Sequence, residues 1–335
     1  MQGCAPGKII LSGEHSVVYG APAVACAIQL YSYIDYTPIK GSDLIAEFIG
    51  IKVHSNHPIA KLTPLVSFLD RQFQKFVDGA IQVDKILSSP VQLVLYVLAS
   101  QLPTQSLSAH FNGDSQLPIG AGMGSSASII AAAVILVESI NKKPLSPTER
   151  YKLVKHCERL QHGKGSLIDA ATVILGGAVK VQEQQVDKLD LRLNDNWYWL
   201  FTGTPQCSTG ECVSFVAKEH GDDAPLWQAF ASCTQMMIQA LQAGKDPSVI
   251  IAQNQQLLEH IGVVSTRTQS IIKTLKDRGG TAKVSGAGAY IGDSSGLLLV
   301  YAPNNSTEQL FAGFNMKWGK VAQDMQGARV INKDV

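Results

Sequence analysis

The sequence predicts an α+β protein built from two domains. The chain has 335 residues, which is long for a single hydrophobic core, so two packed domains are the expected arrangement. Its 45% hydrophobic and 16% charged residues are typical of a globular protein. Strand and helix patterns follow each other irregularly, without the steady strand–helix–strand order of a parallel sheet. A polar, charged stretch at 187–196 predicts the boundary between an N-terminal domain at 1–190 and a C-terminal domain at 191–335.

The apolar patterns predict the elements in turn. The first half indicates strands at 8–11, 31–38 and 107–111, a strand or helix entry at 17–28, and helices at 91–102 and 125–141. In SPTERYKLVKHCERLQHG, Ser146 and Glu149 predict a capping box with Pro147 in the first turn, and Gly163 predicts the helix end. A Gly/Ser loop then enters a short helix that ends at Gly176. The second half indicates a strand from 197, helices at 224–243 and 247–264, and two strands around a glycine loop within 282–303.

Composition argues against several classes of protein. A net charge of +1 gives no reason to expect nucleic acid or an anionic membrane as a partner. No apolar run reaches the roughly 20 residues of a membrane helix, and no secretory signal is evident, so we expect a cytoplasmic protein. The six cysteines are scattered without a CxxC pair, which predicts free thiols rather than a zinc site.

The segment LPIGAGMGSSASIIAAAV at 117–134 places alternating glycines directly before a long apolar helix. Glycines allow backbone N–H groups to approach a ligand, and the helix start adds unpaired N–H groups and the positive end of its dipole. This combination is typical of an anion site, most often for phosphate. We expect Ser125 to cap the helix and the Ser126 hydroxyl to face a metal ion or a phosphate.

Other interpretations of this loop remain open at this point. A P-loop needs a lysine inside GxxxxGK[ST], and none is present; a dinucleotide fingerprint needs GxGxxG, whereas the spacing here is GxGxG. A glycine-rich turn that only lets a strand and a helix pack closely would explain the same residues. The later GDSSG at 292–296 matches a nucleophile elbow around Ser294, but a strand rather than a helix follows it, which argues against a hydrolase.

Four isolated polar residues each have a structural and a functional interpretation. Lys8 enters an apolar strand, so it needs an anionic partner if it is buried. His15, beside Glu14, is more often structural in such a loop. Asp169 lies between small apolar residues and either caps the following helix or serves in a site. Glu158, near the end of the preceding helix, is either a solvated surface charge or a ligand.

Four segments carry the motifs of one known family. They are APGKIILSGEHSVVYG at 5–20, LPIGAGMGSSAS at 117–128, ERLQHGKGSLIDAATVILGG at 158–177 and GAGAYIGDSSG at 286–296. Together they resemble the GHMP kinases and, through the GEHSVVYG core, the mevalonate kinase branch of that family. The resemblance implies a two-domain α+β fold: an N-terminal ribosomal-protein-S5-like α/β domain and a C-terminal ferredoxin-like α+β domain, with the active site between them.

The resemblance also implies an activity. It is the ATP- and Mg²⁺-dependent phosphorylation of the 5-hydroxyl of mevalonate to 5-phosphomevalonate and ADP, in the mevalonate pathway of isoprenoid biosynthesis. A homodimer is a further expectation from the family.

The resemblance implies roles for particular residues. Asp169 matches the catalytic aspartate and Lys8 the lysine beside it, while Ser126 and Glu158 match the magnesium ligands. The nucleotide site would comprise Ser115, Gly120, Ala121, Gly122, Met123, Gly124, Ser125 and Ser126. The acceptor side would comprise Glu14, His15, Gly286, Ala287 and Gly288.

Elementary chemistry is consistent with these roles. Phosphoryl transfer mainly needs positioning and charge neutralisation, and Mg²⁺ takes carboxylate, hydroxyl, water and phosphate oxygens. An ionised Asp169 can accept the proton of the attacking hydroxyl.

The chain departs from the family pattern at three points. Tyr290 interrupts the third glycine motif, Leu167 replaces a glycine two residues before Asp169, and 202–216 resembles the family's acceptor segment only loosely. Another GHMP kinase, a diphosphomevalonate decarboxylase and a non-catalytic ligand sensor of the same fold therefore stay as alternatives.

Overall fold

A computed structural model describes residues 1–118, 120–303 and 307–331 of the chain. Ile119, within the glycine-rich loop, lies outside the described residues. The strands of the described part are β1 (Gln2–Ser12), β2 (Ala23–Pro38), β3 (Asp43–Phe48), β4 (Val53–Pro58), β5 (Ala109–Ser115), β6 (Ala178–Gln182), β7 (Gln185–Leu189), β8 (Trp197–Phe201), β9 (Thr281–Ser285), β10 (Leu297–Tyr301), β11 (Trp318–Lys320) and β12 (Arg329–Ile331).

These strands form two sheets. The first has the order β12-β1-β2-β5-β3-β4, with β6 paired to β2 and β7 paired to β6. Its strands pair antiparallel except for β3 and β5, which are parallel. The second sheet is antiparallel with the order β11-β8-β10-β9. Two separate sheets with helices confirm the predicted α+β class.

The helices divide between the two sheets. Their bounds are α1 (Leu62–Val77), α2 (Val91–Gln101), α3 (Ser125–Asn141), α4 (Pro147–His162), α5 (Leu167–Leu175), α6 (Thr209–His220), α7 (Ala224–Gln242), α8 (Ser248–His260), α9 (Thr266–Asp277) and α10 (Thr307–Phe311). Helices α1 to α5 form one core with the first sheet, and α6 to α10 form another with the second. Among the described residues, no helix combines the length and apolarity needed to cross a bilayer.

Helix α3 is pressed against β1 because both present small residues. A Cβ added to Gly3 would lie 2.2 Å from the carbonyl oxygen of Ala132. The Ser128 hydroxyl donates to the carbonyl of Ala5 at 2.9 Å. The run of small residues in α3 therefore brings the start of this helix alongside Lys8 on β1.

The two sheets meet through an apolar cluster and several buried polar contacts. Ile9 and Leu11 of β1 pack with Trp197 of β8. The Ser285 hydroxyl of β9 accepts from the N–H of Ile10 and donates to its carbonyl, both at 3.0 Å. Strand β1 thus belongs to the first sheet and also borders the second.

Many predicted elements are confirmed, with shifted ends. Helices α2, α3 and α7 match their predicted spans, α8 ends at His260 rather than at 264, and β5 begins two residues late. Both hydrogen bonds of the predicted capping box are present at the start of α4. All six cysteines are free, as predicted, and all six are buried. The segment 17–28 begins with a single 3₁₀ turn, Ser16–Tyr19, before β2.

The predicted domain boundary falls where the chain leaves the first sheet after β7 and enters the second at β8. Strand β12, near the end of the described chain, pairs with β1 and so returns to the first sheet. The division into 1–190 and 191–335 stays a prediction.

Candidate active site

In the glycine-rich loop, glycines alternate with residues whose side chains anchor the loop to the protein. Gly120, Gly122 and Gly124 have φ of 71°, 79° and 70°, a left-handed conformation that side chains disfavour. The intervening Ala121 and Met123 are buried in the apolar cluster between the sheets. The apolar residues therefore anchor the loop. The glycines between them have no side chains, so a ligand can approach the backbone closely.

The start of α3 is not capped by a side chain. Its N-cap is Gly124, and Ser125 is the first helical residue, so the prediction that Ser125 caps the helix is wrong. The backbone at the N-cap has a left-handed conformation, which favours glycine over serine. The neighbouring α4 and α5 are capped by the hydroxyls of Ser146 and Ser166. The first N–H groups of α3 thus remain available for an anion.

Lys8 supplies the positive charge that the loop itself lacks. The backbone N–H of Lys8 donates to Met123 at 2.9 Å, and its ammonium donates to the carbonyl of Gly122 at 2.9 Å. The same Nζ lies 3.0 Å from Oδ1 of Asp169. Lys8 is only 2% exposed, so this carboxylate is the anionic partner that its burial requires.

Asp169 lies in the first turn of α5 and does not cap it. Ser166 is the cap: its hydroxyl accepts the N–H of Asp169 at 3.3 Å. The Asp169 side chain is 20% exposed beside an almost fully buried Lys8. The carboxylate is therefore paired with a cation and still accessible to a small molecule.

Glu158 and Ser126 meet beside this ion pair. The Ser126 hydroxyl donates to Oε1 of Glu158 at 2.9 Å, and Oε2 of Glu158 is buried without a hydrogen-bond partner. Burial raises the pKa of Glu158 to about 8; the charge of Asp169 adds to this rise, and Ser126 and Lys8 oppose it. Glu158 is thus not a solvated surface charge. The nearest lysine, Lys8, forms its ion pair with Asp169 and not with Glu158.

His162 completes the cluster, and the sequence analysis did not single it out. Its Nε2 lies 3.2 Å from the Ser126 hydroxyl. Burial lowers the pKa of His162, which favours the neutral ring; Asp169 opposes this shift and Lys8 adds to it. His162 follows Glu158 by four residues on α4, so helical spacing alone placed the two side chains on one face.

The residues present fit a hard divalent cation. Two carboxylates, Glu158 and Asp169, stand near one ammonium, that of Lys8, and the raised pKa of Glu158 indicates that this lysine does not compensate the charge of both. A buried carboxylate oxygen without a partner and an adjacent hydroxyl are the donor types that Mg²⁺ takes.

On the predicted acceptor side, Glu14 and His15 reach across to the second sheet. Glu14 forms a buried ion pair with Lys283 of β9, which also donates to the carbonyl of Val284 at 2.7 Å. Burial lowers the pKa of Lys283, and the charge of Glu14 opposes that shift. The His15 Nε2 lies 2.9 Å from the carbonyl oxygen of Ala287. Burial also lowers the pKa of His15.

The third glycine motif lies against both the glycine-rich loop and α6. A Cβ on Gly286 would lie 3.7 Å from Cα of Gly122. A Cβ on Gly288 would lie 2.2 Å from the carbonyl oxygen of Val263, so that position needs glycine for packing. Tyr290, the departure from the family pattern, stacks on Phe215 with ring centroids 4.5 Å apart.

Two further predicted positions have local partners. Leu167 packs with the apolar cluster that contains Ile10 and Ile168. The Ser115 hydroxyl lies 2.9 Å from that of Ser32 and accepts the N–H of Leu117 at 3.3 Å, just before the glycine loop. The roles inferred for these and the other site residues stay predictions.

Comparison with known proteins identifies the class. Residues 90–177 match the family model described as the GHMP kinases N-terminal domain, a span that runs from α2 to the end of α5. The chain is similar to the GHMP kinases and is a phosphotransferase that acts on an alcohol, with ATP as the implied phosphoryl donor.

Within this class the chain is similar to mevalonate kinases. It is 27% identical to the mevalonate kinase of Pyrococcus furiosus over 316 residues, covering 91% of this chain and 90% of the relative. Its fold matches the Methanococcus jannaschii mevalonate kinase with a TM-score of 0.78 at 20% identity, covering 99% and 98% of the two chains. It also matches L. major mevalonate kinase in complex with R-mevalonate, with a TM-score of 0.67 at 20% identity, covering 96% of each chain.

Proposed function

We propose that this chain transfers the terminal phosphoryl group of ATP to the 5-hydroxyl of mevalonate, giving 5-phosphomevalonate and ADP. The pairing of Lys8 with Asp169 beside the uncapped start of α3 carries the proposal. Relatives named mevalonate kinase align over 91% of the chain, which supports mevalonate as the acceptor.

The glycine loop and the first turn of α3 would bind the nucleotide phosphates. Left-handed glycines at 120, 122 and 124 keep Cβ atoms away from the backbone, and the open N–H groups of the helix favour negative charge. Ser126 and Glu158 would hold Mg²⁺, which supplies positive charge to the phosphate oxygens when it is bound. His162 would orient the Ser126 hydroxyl from its other side.

Asp169 would accept the proton of the attacking hydroxyl. Its side chain is accessible, and the ammonium of Lys8 lies 3.0 Å from its carboxylate. An ammonium has three N–H donors; Lys8 directs one to the carbonyl of Gly122, and its Nζ forms an ion pair with Asp169. A further N–H can be donated to the acceptor hydroxyl or to a phosphate oxygen.

A coupled ADP-release assay with a panel of alcohols tests the substrate. Mevalonate should be phosphorylated in preference to phosphomevalonate, homoserine and galactose, with the product identified by mass spectrometry. Release of CO₂ from diphosphomevalonate would indicate the decarboxylase instead. Nucleotide binding without turnover of any acceptor would indicate a non-catalytic protein.

The substitution Asp169→Asn tests the mechanism. Because a positioned general base contributes about 10²–10⁴-fold, kcat should fall by at least about 10²-fold while ATP binding persists. Asp187→Asn is the matched control, since Asp187 forms an exposed ion pair with Lys180 on β6. Nearly intact activity in Asp169→Asn would refute the role of Asp169.

A further inference from the structure

Two imidazoles and a carboxylate converge at a junction of three helices in the second half of the chain. His220 ends α6, His260 ends α8, and Asp223 is the N-cap of α7. One ligand atom from each of these side chains lies within 4.8 Å of the other two. The imidazole centroids of His220 and His260 are 5.7 Å apart, with the rings tilted by 44°.

The backbone around this junction is fixed by hydrogen bonds that leave ligand atoms available. One carboxylate oxygen of Asp223 accepts the N–H of Leu226 at 3.0 Å and so caps α7, and the other oxygen remains for a ligand. The carbonyl of His220 accepts the N–H of Asp223 at 3.1 Å and the indole N–H of Trp227 at 3.1 Å. His220 is half-buried and His260 exposed, so both rings can be reached from solvent.

The electrostatics of the junction favour a cation. Helices α6 and α8 both end here, and the C-terminal ends of helices carry partial negative charge. The start of α7 carries the opposite partial charge, but the Asp223 carboxylate caps it. Two helix ends and one carboxylate therefore surround the imidazoles.

We infer that His220, Asp223 and His260 bind a divalent transition-metal ion of the zinc class. Imidazole with carboxylate suits Zn²⁺, Ni²⁺, Co²⁺ or Cu²⁺, whereas Mg²⁺ takes oxygen donors. Tetrahedral zinc with bonds of about 2.0–2.1 Å places its ligand atoms about 3.3 Å apart, so side-chain rotations of the surface histidines close the site. Three protein ligands leave one position for water. This site offers two imidazole nitrogens and one carboxylate oxygen, whereas Ser126 and Glu158 offer only oxygen atoms.

The ion would fasten α6 and α8 to α7, and α7 lies against the predicted acceptor loop. Trp227, whose indole donates to the His220 carbonyl, stacks on Tyr19 with ring centroids 3.9 Å apart. Tyr19 belongs to the GEHSVVYG segment that contains Glu14 and His15. Metal binding should therefore stabilise the chain against heat, and a paramagnetic ion at this site should quench the fluorescence of Trp227.

The test uses the full-length chain without a histidine tag, stripped with a chelator and then titrated with Co²⁺ and Zn²⁺. We expect one Co²⁺ per chain with visible absorption bands, displacement by Zn²⁺ but not by excess Mg²⁺, and a higher melting temperature with Zn²⁺. His220→Ala and His260→Ala should each weaken Co²⁺ binding at least tenfold and abolish the zinc-dependent thermal shift. His54→Ala, an exposed histidine on β4, should leave both unchanged.

Far-UV circular dichroism of each variant verifies that its helices are retained. Absence of Co²⁺ binding at micromolar concentrations would overturn the inference. So would binding that survives both His220→Ala and His260→Ala in variants that remain folded.

Discussion

The buried pair of Glu14 and Lys283 predicts a large and non-additive effect on stability. Their side chains are 1% and 0% exposed and join the loop after β1 to β9 of the second sheet. Removing one partner of a buried ion pair leaves the other charge without compensation, which costs about 3–5 kcal/mol. Removing both charges with unbranched apolar residues avoids that penalty. Glu14→Met and Lys283→Met should therefore each destabilise the chain by about 3–5 kcal/mol, and the double variant should be more stable than either.

Urea unfolding at neutral pH, followed with two probes, measures the free energy of unfolding of the original chain, the two single variants and the double variant. All four tryptophans lie at or after position 197, so their fluorescence reports the second half of the chain, while far-UV circular dichroism reports the whole. Coincident transitions are needed before free energies are compared. Lys320→Met is the control: Lys320 and Asp195 form a pair with side chains 51% and 93% exposed, and its loss should cost less than about 1 kcal/mol. A double variant less stable than each single variant would refute the reasoning.

Three further predictions concern the site. The substitution Gly124→Ala would place a Cβ 2.9 Å from Cγ of Lys8 and so displace the lysine. Because φ at this position is 70°, the alanine also adds about 1–2 kcal/mol of backbone strain. We therefore expect kcat/KM to fall at least tenfold in steady-state assays. Glu158→Gln and Ser126→Ala should raise the Mg²⁺ concentration for half-maximal activity at least about tenfold. Burial lowers the pKa of His15 below its ordinary 6.5, so at lower pH the unfolded chain binds a proton that the folded chain does not. The free energy of unfolding should then fall on acidification by up to about 1.4 kcal/mol per pH unit, and His15→Gln should flatten this slope in urea titrations.

Matched variants separate these effects from general damage. Gly79→Ala introduces the same left-handed strain at a φ of 74° but meets no atom within 4 Å, so activity should be kept; equal losses in Gly79→Ala and Gly124→Ala would contradict the role given to Lys8. Glu219→Gln, on an exposed pair with Lys218, should not change the Mg²⁺ requirement. His54→Gln should keep the acid slope, and an unchanged slope in His15→Gln would count against the pH argument.

The sequence was sufficient to predict several of the residues that meet beside the glycine-rich loop. Lys8, Ser126, Glu158 and Asp169 lie in motifs whose residue types suit phosphoryl transfer, and the structure brings them together. Long helices such as α3 were also predictable, because their apolar character extends over many residues.

The contacts that join the two sheets could not be predicted in this way. Glu14 and Lys283 are 269 positions apart, and a lysine between two apolar residues in AKVSG carries no sign of its partner. The cap of α3 was missed because Ser125 is the usual type of capping residue, whereas the backbone conformation at Gly124 placed the cap one residue earlier. Helix α1 and strands β3 and β4 were also missed. Helix α1 is amphipathic and β3 alternates buried with half-buried residues, so these two could have been predicted, whereas β4 consists mostly of polar residues.

The alternation of glycines with buried Ala121 and Met123 has a consequence for the nucleotide binding that we propose. Ordering the backbone of one flexible residue costs about 1–2 kcal/mol, so recruiting a disordered loop of this length would cost about 5–10 kcal/mol on every binding event. Here that entropy is lost once, when the chain folds and the two apolar side chains enter the cluster between the sheets. In the proposed function the phosphates would then meet a preorganised template, and the free energy of their contacts with the backbone would go into affinity rather than into ordering the loop.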